Sequence, residues 1–381
     1  MKYFFTIVVA LILFLPTSVF ADQQIYIDNP TPIQDVFYKA KVLSIGEIIE
    51  SEDYGERFAT QSVGIQFKHG DVKGQKETLQ YDYNPAHVGR KLKVGDTLII
   101  GKQQIADDVL YYVNDIYRLP VVGLLIILFF VITFLIIGKQ TFHAIGSLGL
   151  SFIVIIYFLV PQIISGSSPF LVSFISALFI AIISLFWAHG FHIRTFIAFI
   201  GTMITITFAL VISYYFVSFS RLTGLGSEEA FFLQSAGIGE INLKGLLLGG
   251  IIIGTLGVLD DITTAQAASV EEIHKANNTL TFKDLYQRGL SIGKEHIISL
   301  VNTLVLAYTS VALPLLLLFT IYKQPLWVVL NSEIIVEEII RMLVGSTTLI
   351  LAVPITTVLA AYIFAHQKFP RIPRRDGYHG H

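Results

Sequence analysis

Cysteine is missing from all 381 residues of this chain. Its absence excludes disulfide staples, thiolate metal ligands and cysteine nucleophiles together, and leaves the redox compartment open. Charge is scarce too: Asp, Glu, Lys and Arg make up 14% of residues, and none falls between Lys139 and Arg194. A net charge of −2 and a pI near 6.6 supply no basic surface broad enough to suggest nucleic acid as a partner. Three motifs are absent as well: a GxxxxGK(S/T) nucleotide loop, an HExxH zinc pair and a GxSxG nucleophile elbow. His189 and His192 have no acidic sequence neighbour to act as a co-ligand. The expectation is therefore a protein that is not an enzyme, with no catalytic residue, no cofactor and no metal site.

What is present is apolar surface. With 54% hydrophobic residues and a mean hydropathy of +0.68, the chain lies outside soluble globular usage and belongs with multi-pass membrane proteins, whose partner is the lipid bilayer. Residues 1–21 have the layout of a secretory signal peptide: Lys2, an apolar stretch from Tyr3 to Leu15, and Val19-Phe20-Ala21 before a cleavage point at Asp22. The residues that follow are then expected outside the cell membrane.

Residues 22–118 are polar, with an acidic balance. Alternating segments at Phe37 to Ile49, Gln61 to Lys68, Glu77 to Tyr83, Thr97 to Lys102 and Leu110 to Tyr117 predict five short strands. Turns are predicted at His69-Gly70-Asp71, Lys73-Gly74 and Val94-Gly95-Asp96. The sum is a small extracytoplasmic β-barrel of OB-like size. Its aromatics show no regular stacking pattern, so oligonucleotide binding is not expected.

From Leu119-Pro120 to residue 365 the chain predicts a bundle of seven transmembrane helices. The apolar runs are Leu119 to Gly138, Ala144 to Val160, Phe170 to Ala188, Thr195 to Phe219, Ile241 to Leu259, Ile297 to Ile321 and Met342 to Phe364. Residues 366–381 form a basic tail. With Asp22 outside, ten Lys/Arg, among them Lys139, Arg194, Lys275 and Lys294, fall on the cytoplasmic side, against Arg118, Arg221, Lys244, Lys323 and Arg341 outside. No internal repeat of the inverted-transporter kind is discernible.

Two features of the fifth span stand out. Gly245, Gly249, Gly250, Gly254 and Gly257 recur at spacings that place them along one helix face. That face either packs closely on another helix or forms a hinge or substrate path, and both readings expect a bulky residue at Gly250 or Gly254 to be disruptive. Asp260 and Asp261 then end the run, where carboxylates oppose the dipole of a helix C-terminus. Three arrangements would relieve this. The chain breaks and Asp261 caps a new helix from Ile262 to His274; or the pair sits in cytoplasmic water; or the helix runs on and the carboxylates form an ion or proton site, with Asn302 and Thr303 as partners and Lys294 and His296 at its entrance.

Beyond the fifth span, Thr263 to His296 reads as an interfacial amphipathic segment with His274 at the lipid surface, or as a gate or docking surface. Glu333, Glu337 and Arg341 share a helix face with an i,i+4 ion pair available, beside Glu338. Pro314 and Pro354 should kink the last two spans, with Thr309, Ser310, Thr356 and Thr357 near to satisfy freed backbone groups.

These residues carry a resemblance. Gly257-Val-Leu-Asp-Asp-Ile-Thr, Gln266-Ala-Ala-Ser-Val, Gly293-Lys-Glu-His-Ile, Asn302-Thr-Leu-Val-Leu-Ala-Tyr and Val344-Gly-Ser are similar to stretches of the bacterial YibE/YibF-like membrane proteins, over roughly Val36 through Phe364. The resemblance implies a signal-bearing multi-pass protein of the cytoplasmic membrane with an outer β domain, and carries no catalytic residue with it. Two functions follow as expectations: a transporter or permease-like role centred on the acidic pair, or a non-catalytic accessory or assembly role in which the β domain binds an envelope component or protein partner.

Overall fold

The computed structural model describes residues 36–53, 56–83, 91–105, 108–235 and 241–366. The expected signal peptide and basic tail lie outside these residues, apart from His366. The chain divides into two compact units, Ile25–Gly138 and Lys139–His381.

The first unit holds five antiparallel strands, β1 (Val36–Asp53), β2 (Glu56–Phe67), β3 (Lys76–Tyr83), β4 (Thr97–Ile105) and β5 (Asp108–Ile116), in the order β3-β2-β1-β4-β5. They form a curled half-barrel sheet. Strand alternation buries one face: Ala40, Val42, Val63, Ile65, Phe67, Leu79, Leu98 and Ile100 close into one core. Register shifts at Val42/Ser44 and Ile45/Ile48 bend β1 against β2. Gly70, Gly74 and Gly95 take φ of 81°, 87° and 100°, which are the turn positions expected of them. Tyr38 Oη donates to Asp71 Oδ1 at 2.8 Å, and Gln61 meets both the N–H and the carbonyl of Leu92. The same unit ends in α1 (Leu119–Ile137), none of whose residues is buried.

The second unit contains α2 (Gln140–Ile164, with a π turn at Ile155–Leu159 just before Pro161), α3 (Pro169–His189), α4 (Ile193–Phe219), α5 (Glu228–Ser235), α6 (Leu243–Ala276), α7 (Phe282–Val311), α8 (Leu313–Ile321), α9 (Leu326–Leu330) and α10 (Glu333–His366). Among the described residues, seven helices (α1, α2, α3, α4, α6, α7 and α10) are long and apolar enough to cross a membrane. Helix α6 lies at the centre, packed by α3, α4, α7 and α10. Three buried layers follow its length: Leu247, Leu248 and Ile251 with Val217, Ile340 and Val344; Ile252, Leu256, Leu259 and Ile262 with Ile180, Ile206 and Val353; Ala267 and Val270 with Leu185, Ile197, Leu285 and Phe364.

Several boundaries depart from the sequence expectation. Helix α6 does not stop at Leu259; it continues through both aspartates to Ala276, so Asp261 caps nothing. Thr263 and Thr264 return their hydroxyls to the carbonyls of Leu259 and Asp260 at 2.9 and 2.8 Å, and the alanine-rich turns beyond them favour the helix. The segment from Thr263 to His296 is not a separate interfacial helix. It is the end of α6, a short turn, and the start of α7, which a Thr281–Asp284 capping box sets at Phe282. His274 is 2% exposed and stacked on Phe364 instead of lying at a surface. Pro314 interrupts the expected sixth span instead of bending a continuous helix: α7 ends at Val311 and, after Ala312, Pro314 lies in the first turn of α8, where its missing N–H is not needed. Pro354 stays inside a continuous α10.

Candidate functional site

Asp260 and Asp261 are mid-helix residues of α6, about 26 Å from its first residue at 1.5 Å per residue. The dipole conflict expected of them disappears, because the true C-terminus lies about four turns further on, with His274 and Lys275 in its last turn. Adjacent residues on a helix point about 100° apart, so the two carboxylates diverge. Asp260 turns to α3, where Ser184 Oγ donates to its Oδ2. Its Oδ1 is shut off from solvent and has no hydrogen-bond partner among the described residues. Asp261 is exposed and lies within electrostatic reach of His189, the last residue of α3. Sequence neighbours show no acid beside His189; the tertiary fold supplies one.

The glycines of α6 divide between two faces. Gly245 and Gly249 pack on the start of α3: a Cβ on Gly249 would collide with Ser173 Oγ and stand 3.0 Å from Ser173 Cβ. Gly250, Gly254 and Gly257 are exposed and continue as a strip to Asp261. A Cβ on Gly250 or Gly257 would meet nothing within 4 Å, and one on Gly254 only Tyr308 Oη at 3.5 Å. A single added methyl thus meets packed atoms at Gly249 and open space at Gly250. Another close helix crossing is built from Gly289 and Gly293 of α7, four residues apart. There a Cβ on Gly289 would lie 2.7 Å from Val270 Cγ2, and one on Gly293 would run into Val353 Cγ1.

Among the described residues no hydrogen bond links Asn302 or Thr303 to the aspartates. Both are exposed on α7, and Thr303 donates to Ser299 O of its own helix at 3.0 Å. Gln266 is the side chain that ties the helices together near the acidic pair: its Nε2 donates to Gly289 O at 2.8 Å and to Thr357 Oγ1 at 2.7 Å, linking α6, α7 and α10. One turn above, Thr202 and Thr263 hydroxyls meet at 2.8 Å between α4 and α6. An ion-pair group closes this end of the bundle, with Glu271 3.5 Å from Arg194 and 3.1 Å from Lys275, and Lys275 2.9 Å from Glu272. Ser184 carries no signal in the sequence, and Arg194 and Gln266 stand out there only as a cytoplasmic charge and as part of a family-like stretch; the partners that give all three their roles come from other elements.

At the opposite end the acids of α10 hold a loop. Glu333 Oε1 accepts from Thr223 N, Thr223 Oγ1 and Gly224 N at 2.6, 2.7 and 3.1 Å, and Glu337 Oε1 accepts from Gly226 N at 3.1 Å. Arg341 pairs with Glu338 at 3.0 Å, not with Glu337 as the i,i+4 spacing suggested. Glu337 is committed to the loop, which leaves Glu338 as the available carboxylate.

Comparison with known proteins adds one match. Neither curated proteins nor solved structures gave any. A family model described as YibE/F-like protein matches residues 125–366, from within α1 to the end of α10, and so takes in the acidic pair, Gln266 and the rim charges while leaving the sheet outside. With well over half of its length matched, the chain belongs to the YibE/F-like protein family.

Proposed function

We propose that this protein is a transporter or permease-like protein of the bacterial cytoplasmic membrane, and that Asp260 and Asp261 are the groups that meet a proton or cation. The observation that carries the reading is Asp260 itself. Its carboxylate lies against α3 with one hydroxyl donor and an unpartnered, solvent-free oxygen, in a helix apolar enough to span a membrane. A carboxylate so placed is costly unless a cation or proton completes its surroundings. The exposed glycine strip ending at Asp261 gives a route of low bulk along α6. Residues 22–118 are assigned outside and the C-terminus inside, because the Arg194 and Lys275 end of the bundle belongs to the richer Lys/Arg side.

The test is Asp260→Asn with Asp261→Asn, expressed in a strain lacking the chromosomal copy and assayed in parallel for melting temperature. The expected result is a folded protein that no longer complements; full complementation by the folded double variant refutes the reading.

The sheet unit supports a second reading, an accessory or assembly role without catalysis. It has its own core, and the order β3-β2-β1-β4-β5 fits a partly open OB-like barrel with β3 and β5 at its edges, where a partner strand can add. Removing Asp22 to Tyr117 separates the two: a transporter core retains activity, and an adaptor loses all of it.

A further inference from the structure

A cavity of about 310 Å³ opens between the end of α3, the start of α4 and the second half of α6, lined by His189, Arg194, Thr195, Thr264, Ala265 and Ala268. Helix α4 begins there with no side-chain cap. The N–H groups of its first turn, at Ile193, Arg194 and Thr195, have no intrahelical acceptor, as in any helix, and no capping side chain replaces it; they stand at the positive end of a 27-residue helix. Thr195 is an independent sign of a ligand. It is 1% exposed, it lines the cavity, and its Oγ1 has no hydrogen-bond partner among the described residues. A buried hydroxyl left in that condition is costly unless something bonds it.

The charges around the cavity favour an anion. Among the described residues Arg194 makes one ion pair, at 3.5 Å to Glu271 Oε2, whereas the other oxygen of Glu271 has Lys275 Nζ at 3.1 Å. Lys275 thereby offsets Glu271 and leaves guanidinium donors of Arg194 uncommitted. Asp261 lies within electrostatic reach of His189 and is not among the residues that line the cavity. The alanines at 265 and 268 leave the α6 wall without bulk.

We propose that this cavity binds an oxyanion, a phosphate or carboxylate group, through the first-turn amides of α4, Thr195 Oγ1 and the Arg194 guanidinium. The anion is either a free solute or the phosphate of a lipid headgroup, since the cavity lies at the end of membrane-capable helices. The site does not depend on the transport reading, and Asp260→Asn leaves its anion response intact.

The experiment uses the full chain purified in neutral detergent, with its melting temperature followed against inorganic phosphate and against chloride at equal ionic strength. In parallel, the chain in nanodiscs of phosphatidylcholine alone, or with added phosphatidylglycerol, is assayed for lipid retained after extraction. Phosphate is expected to raise the melting temperature by about 5 °C at roughly a hundredfold excess over Kd. Thr195→Val and Arg194→Gln each weaken that binding about tenfold or more. Thr195→Val removes only a hydroxyl that has no protein partner, so without phosphate it melts at an unchanged or higher temperature. Retention of phosphatidylglycerol that both variants abolish, with no response to free phosphate, assigns the anion to a headgroup and supports the site equally. A chain with no phosphate response and no variant-sensitive lipid retention overturns the proposal. So does a phosphate response of equal size in the parent and both variants, which places the anion elsewhere.

Discussion

Asp260 and its neighbour show how far one residue's position alters its chemistry. Asp260 is held by Ser184 from α3, while Asp261, one step on, faces the open strip. The glycines make the same point in steric terms. Gly249→Ala drives a methyl into Ser173 and is expected to lower stability by about 1–3 kcal/mol. Gly250→Ala, with open space around it, should be neutral or stabilising by up to about 1 kcal/mol from helix propensity. Thermal unfolding of the two variants in the same detergent checks the contrast; equal losses would mean that the strip is covered. In the sheet, the Tyr38 hydroxyl holds the Asp71 carboxyl below its ordinary range. A lowered folded value means stability that is present above the unfolded carboxylate pKa of about 3.9 and lost as pH falls through the folded one. Tyr38→Phe removes the donor, and the acid transition of the sheet, followed by circular dichroism, should move to higher pH.

At the scale of elements, the decisive fact is that α6 is one helix. Its 34 residues span about 51 Å, well beyond the roughly 30 Å of a hydrocarbon core, so its last turns extend into the rim that Arg194, Glu271 and Lys275 close. A continuous helix predicts that Asp261→Ala changes stability by no more than about 0.5 kcal/mol, whereas loss of an N-cap would cost about 0.5–2 kcal/mol. Urea unfolding of that single variant distinguishes the two. Helix α7 is joined to α6 and α10 through Gly289, Gly293 and Gln266. Gly293→Val should therefore destabilise by about 1–3 kcal/mol, because the valine enters space held by Val353 and Gln266.

On the scale of the whole molecule, the lack of cysteine becomes an experimental advantage. Glu272→Cys and Glu228→Cys place one exposed thiol each at opposite ends of the bundle. A membrane-impermeant maleimide should label the first only in inside-out vesicles and the second only in right-side-out ones; the reverse pattern would invert the proposed orientation. The strands, their glycine turns and seven apolar helices were legible in the sequence because period-two alternation, turn chemistry and run length are local properties. So was the acidic pair as a feature. Its surroundings were not: Ser184 lies on α3, His189 at that helix's end, and the expected Asn302 and Thr303 are exposed on α7, where the Thr303 hydroxyl bonds its own helix. Helix ends were misjudged where apolar content falls before helicity does, as at Leu259, since hydropathy reports the bilayer and not the backbone hydrogen bonds. The sequence by itself determined a membrane-capable helical chain with an N-terminal sheet and an acidic signature. Only the tertiary structure decided which face of α6 is packed, which aspartate is enclosed, and which charges gather at each rim, because those depend on helix rotation and on partners far away along the chain.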